Sequence, residues 1–118
     1  MFLNVSRDDD QVSNEEILHS FYLSFKTKHW PWKNLPQVFY DPRALDGNFS
    51  KRASLHAKCL VVDGVRCLVG SANFTESGQA RNIEVGVLIE DRNLGLSLHD
   101  QFESLITHGW LRPIPGLV

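Results

Sequence analysis

Apolar residues recur along this chain at two periods. Ser13-Asn14-Glu15-Glu16 has the form of a capping box, and after it Ile17, Leu18, Phe21, Tyr22 and Phe25 return on one helical face. The spacing predicts a helix ending near His29, before Pro31. Leu94, Leu98, Phe102, Leu105 and Ile106 predict a second helix from about Asn93 to His108, and Gly109 suits its C-terminal stop. Between the helices the period falls to two. Leu55 and Cys59 to Val62 form one apolar run, Val65 to Val69 another, and Asp63-Gly64 joins them as a two-residue hairpin loop. Asn82 to Ile89 alternates, with Ile83, Val85, Val87 and Ile89 on one face and Asn82, Glu84, Gly86 and Leu88 on the other. Phe2 to Val5 and Gln37 to Tyr40 predict short strands. Asp46-Gly47-Asn48 predicts a turn followed by a mobile loop to Arg52. Thr75 to Arg81 reads as a polar connection, and Trp110 to Val118 as a tail with room for one last strand. This order predicts an α/β fold, a mixed sheet flanked by helices, in a single domain over residues 1–118.

The hairpin gathers the polar residues that carry chemistry. With a two-residue loop, position 62 faces 65, 60 faces 67, 58 faces 69 and 56 faces 71. Alternation then puts His56, Lys58, Ser71 and Asn73 on one face, with Ser71 opposite His56. A phosphodiester is an anion, and a site for it needs positive charge and hydrogen-bond donors. Lys58 supplies the charge, and Ser71 and Asn73 supply donors. A neutral His56 imidazole is a nucleophile for phosphorus, and its second nitrogen needs an orienting acceptor. Glu84 is the better candidate for that acceptor, since a glutamate inside an alternating strand is costly without a polar partner. An exposed glutamate on an edge strand is the alternative. Asp63 falls in the turn, where it reads either as a backbone acceptor or as a further catalytic carboxylate.

His56-Ala57-Lys58 to Asp63, followed by Gly70-Ser71-Ala72-Asn73, spells H-x-K-x4-D-x6-G-S-x-N. That pattern resembles the HKD motif of the phospholipase D superfamily, whose members cleave phosphodiester bonds. The resemblance implies His56, Lys58, Asp63 and Glu84 as catalytic residues and Lys58, Ser71 and Asn73 as phosphate ligands. It also implies a phosphohistidine intermediate with no metal or cofactor. His56 is then the nucleophile or the acid that protonates the leaving oxygen, depending on which motif it represents. Such enzymes build one site from two motifs, and this chain has no second H-x-K. A homodimer or a second HKD half in a longer chain is therefore the expected partner. An abrupt start into a strand suits a cut domain. Single-motif members of this size resemble nucleases, so nucleic acid is the leading substrate. A phospholipid head group is the alternative, and a non-catalytic phosphate-binding or interaction module is another. Gly70 to Thr75 also looks like many bacterial members, some of which accompany phage-defence systems such as DISARM.

Composition narrows this picture. With 118 residues and 42% hydrophobic content the chain is long enough for a real core. No stretch has the length of a membrane span, the start is too short for a signal peptide, and cytoplasmic location is expected. In the two-residue-loop register Cys59 and Cys67 point to opposite faces, which argues against a disulfide. There is no cysteine-histidine cluster for zinc, and His19, His29, His99 and His108 read as solvated or helix-terminal. A net charge of −2 is a poor footprint for binding nucleic acid by charge alone. Yet Lys26, Lys28, Lys33, Arg43, Lys51, Arg52, Lys58 and Arg66 crowd the middle of the chain, so a local basic surface remains open.

Overall fold

The computed structural model describes residues 1–73 and 80–118, so most of the predicted Thr75 to Arg81 connection lies outside the described residues. The helices are α1 (Asn14–Ser24) and α2 (Arg92–Thr107). The strands are β1 (Phe39–Tyr40), β2 (Cys59–Val62), β3 (Arg66–Gly70), β4 (Gly86–Glu90) and β5 (Arg112–Pro113). The chain divides into two compact units, one of Met1–His56 with His108–Val118 and one of Ala57–Thr107.

In the first unit, α1 begins as its sequence predicts. The Ser13 hydroxyl accepts the Glu16 N–H at 3.2 Å, and the Glu16 carboxylate accepts the Ser13 N–H at 3.0 Å. The helix runs on through one wide π-helical turn, Phe25–His29, and stops ahead of Pro31. Its apolar stripe buries Leu18 and Phe25 and half-buries Ile17, Phe21 and Tyr22. The strand expected over Phe2 to Val5 is reduced to a single parallel bridge from Phe2 to Phe39. β1 pairs antiparallel with β5. The tail is far more than a final strand, because Leu111, Ile114 and Leu117 are buried in the core with Val38, Tyr40 and Leu45. Backbone bonds hold it there, from Ile114 N–H to Val38 O and from Val38 N–H to Leu117 O, each 2.9 Å. The segment from Asp46 to Arg52, expected as a mobile loop, is organised. It holds a 3-10 turn at Phe49–Lys51 capped by Asn48, and Arg52 donates to Asp46 O at 2.8 Å and pairs with Asp10.

In the second unit β2, β3 and β4 form an antiparallel sheet in that order, and α2 packs on β2 and β3. The Asp91 carboxylate caps α2, accepting N–H groups of Asn93 at 2.7 Å and Leu94 at 3.0 Å. The hairpin register differs by one residue from the expected one. Val62 pairs with Arg66 and Cys59 with Val69, so three residues rather than two make the loop. Asp63 and Gly64 both have left-handed backbone, φ 55° and 65°. Val65 is engaged elsewhere, its carbonyl accepting the Asp91 N–H at 2.9 Å in continuation of the β3–β4 ladder. The offset corrects the reading of the cysteines. Cys59 and Val61 now share a face with Cys67 and Val69, so both thiols lie on one side of the sheet, and both are free. Burial first, then the neighbouring Cys67, pushes the Cys59 thiol above its usual range.

β4 starts at Gly86, four residues later than the Asn82 expected. Of the apolar face expected over Ile83, Val85, Val87 and Ile89, the first three residues are exposed. The α/β class stands; among the described residues the strands form two antiparallel sheets, with a parallel contact at Phe2. Docking of α2 depends on Gly95, where a Cβ would lie 2.2 Å from the Gly64 carbonyl oxygen. Gly95→Ala must displace the helix, and we expect a loss of about 1–3 kcal/mol, read as a lower urea midpoint. At Gly47 a Cβ meets nothing within 4 Å, so Gly47→Ala should leave the midpoint in place. Equal midpoints for the two variants would contradict this packing.

Candidate active site

The site residues sit where β2 begins and where β3 gives way to β4. The Lys58 carbonyl accepts the Gly70 N–H at 3.1 Å, so the β2–β3 register extends one step past Cys59 and sets Lys58 opposite Gly70. Lys58 therefore lies on the face that carries Leu60, Val62 and Leu68, and it is half-buried. The expected pairing of Lys58 with Val69 is therefore replaced by Lys58 with Gly70. The cause is the third loop residue, which shifts every pairing of the hairpin by one.

Ser71 is held by β4 instead. Gly70 pairs with Gly86, and a Cβ on Gly70 would lie tightly, 3.1 Å from the Val85 carbonyl. This close approach lets the Ser71 N–H donate to Val85 O at 3.0 Å, while the Ser71 hydroxyl accepts the Val85 N–H at 3.2 Å. The same hydroxyl donates to the Glu84 carboxylate through a short hydrogen bond. Glu84 is half-buried, and its other oxygen accepts the Asn82 side-chain amide at 3.2 Å. Two donors thus fix the carboxylate just ahead of β4, which answers the polar partner that Glu84 demanded. The sequence reading assigned Asn82 no role. Its only signal was the period-two pattern that put it on the face of Glu84.

The remaining candidates are placed as follows. Asn73 is exposed, two residues beyond Ser71. His56 is exposed and is the last residue of the first unit before β2. The segment leading to it is tied down by the Asn4 side-chain oxygen, which accepts the Leu55 N–H at 3.0 Å and the Ser54 hydroxyl at 3.4 Å. Asp63 is exposed at the far end of β2, five residues from Lys58, or roughly 16 Å along an extended strand. Its turn uses left-handed backbone, which aspartate tolerates.

Chemically, the Ser71 hydroxyl and the Asn82 amide hold Glu84 as a preoriented acceptor, and Lys58 adds an ammonium group on the neighbouring strand. The family described as "Cardiolipin synthase, PLD-like domain" matches residues 16–106, and the chain belongs to this PLD-like family of the phospholipase D superfamily. It is also similar to Phospholipase D1 of Saccharomyces cerevisiae, 48% identical over 42 residues, which is 34% of this chain and 2% of that relative. The chain thus spans only a small part of the curated relative it matches. No solved structure matches it. Phosphodiester hydrolysis is the chemistry that this membership supports.

The Ser71–Glu84 bond makes a prediction that needs no substrate. Ser71→Ala and Glu84→Ala should be coupled in a double-mutant cycle of urea unfolding by about 1 kcal/mol, because either change alone removes the same bond. Additive effects would mean that the bond contributes nothing to the fold.

Proposed function

We propose that this chain supplies one half of a metal-independent phosphodiesterase site of nuclease type, acting through a phosphohistidine. The observation that carries the reading is the complete H-x-K-x4-D-x6-G-S-x-N pattern inside the stretch that the family matches. A neutral His56 nitrogen attacks phosphorus, forming a P–N bond as the P–O bond to the leaving group breaks. A second histidine, on the opposite side of the phosphate, protonates the departing oxygen. Water, deprotonated by that same histidine, then attacks phosphorus and releases the phosphate from His56. Lys58 balances phosphate charge without an ion, Asn73 donates to a non-bridging oxygen, and the Ser71 hydroxyl, whose proton goes to Glu84, holds that carboxylate in place. Glu84 accepts the N–H of His56 and keeps the attacking nitrogen unprotonated.

One chain holds one such histidine, and in-line displacement uses two. A second copy related by two-fold symmetry, or a second HKD half, supplies the other. The face of the sheet that carries Lys58 supports an assembly. Leu60, Val62, Leu68 and Leu88 on it are between 37% and 72% exposed, an apolar surface that a partner would cover. Lipid head-group hydrolysis is a second reading, favoured by the names of the matched family and relative, which are those of lipid enzymes.

Turnover tests the proposal. His56→Ala and Lys58→Ala should each cut cleavage of bis(p-nitrophenyl) phosphate by at least about a hundredfold to ten-thousandfold. Activity should persist in excess EDTA. Full activity in His56→Ala, or activity lost to chelation and restored by Mg2+, would overturn the mechanism. Single-stranded oligonucleotide should be cleaved faster than phosphatidylcholine, and the reverse order would assign the lipid reading.

A further inference from the structure

Between Glu16 and Asp41 the chain has no acidic residue and three lysines, Lys26, Lys28 and Lys33. This tract carries +3 in a protein of net charge −2. A ladder of aromatic rings runs through it. Phe21 stacks on Phe25 at 6.2 Å between centroids, Phe25 on Trp30 at 5.8 Å, and Trp30 meets Trp32 edge-on at 4.7 Å. Exposure rises along the ladder, from 6% at Phe25 to 64% at Trp32. The Trp30 indole N–H donates to Asn34 O at 2.7 Å and clips the Trp30-Pro31-Trp32 loop in place. The base of the ladder is therefore fixed in the core, and its last ring is held out to solvent. Lys26 leans on the Tyr22 ring, its ammonium 5.6 Å from the centroid. Lys28 and Lys33 are exposed and flank the two indoles in sequence.

We infer that the segment from Lys26 to Lys33 binds single-stranded nucleic acid, with Trp32 stacking on a base and Lys28 and Lys33 meeting the flanking phosphates. The inference rests on the nuclease reading and gives it a substrate-holding surface away from the HKD residues. One protruding ring among cations is the arrangement by which proteins grip single strands without reading sequence. Insertion into a bilayer requires several apolar side chains presented together. Here Phe21, Phe25 and Trp30 are turned onto one another, and of the apolar side chains in the tract only Trp32 and the half-exposed Leu23 stand out.

Fluorescence anisotropy of a labelled oligo-dT with the full chain tests this. Trp32→Ala should weaken binding about tenfold. The double variant Lys28→Gln, Lys33→Gln should reduce the slope of log affinity against log salt by about 1.4. Both variants should hydrolyse bis(p-nitrophenyl) phosphate at the wild-type rate, since that substrate is too small to span the surface. Unchanged oligonucleotide binding in both variants would overturn the inference. So would wild-type protein that binds phosphatidylglycerol vesicles in preference to oligo-dT, with loss of that binding in Trp32→Ala. Failure of the phosphodiesterase reading shows separately, as turnover that survives His56→Ala.

Discussion

Gly95 of α2 lies against the carbonyl of Gly64 so closely that no side chain fits between them. The turn that presents this carbonyl uses left-handed backbone at Asp63 and Gly64, and Val65 is bonded to Asp91 at the start of the helix. A turn held from that side has three loop residues, so Val62 faces Arg66. Every later pairing in the hairpin follows. Lys58 comes opposite Gly70 and joins the Leu60 face, and Ser71, the next residue, bonds to Val85 just ahead of β4. A helix contact near one end of the sheet thus decides which motif residues share a face at its other end.

What was legible in the sequence was local. The Ser13–Glu16 capping box and the stripe from Ile17 to Phe25 specify α1, because both depend on neighbours three or four residues away. The register of the hairpin was not legible to the residue. Asp63-Gly64 names a left-handed turn correctly, but the third loop residue is set by Asp91 and Gly95, about thirty residues along the chain. The tail failed for a related reason. Leu111, Ile114 and Leu117 recur every three residues without forming a helix, a pattern that neither strand nor α-helix periodicity picks out. The Ile83 to Ile89 alternation was visible, yet alternation does not say which face a neighbour covers.

The site divides along the same line. Residue types and spacing nominate His56, Lys58, Asp63, Ser71, Asn73 and Glu84 as candidates, since phosphate chemistry restricts those types sharply. The short bond from Ser71 to Glu84, with Asn82 on the other carboxylate oxygen, required the β3–β4 pairing of Gly70 with Gly86. That pairing joins residues sixteen apart, and at Gly70 a Cβ would crowd the Val85 carbonyl at 3.1 Å. Gly70 thus contributes to the sheet pairing on which the Ser71–Glu84 bond depends.

The central claim is that His56 forms a covalent bond to phosphorus. Its most direct test is to mix the protein with excess oligonucleotide, quench in alkali within milliseconds, and map phosphorylated residues by mass spectrometry. A P–N bond survives alkali and is lost in acid. The account predicts a transient adduct on His56 that is stable in alkali, labile in acid, and absent from Lys58→Ala quenched at the same time. Rapid turnover with His56 unmodified at every quench time would contradict it.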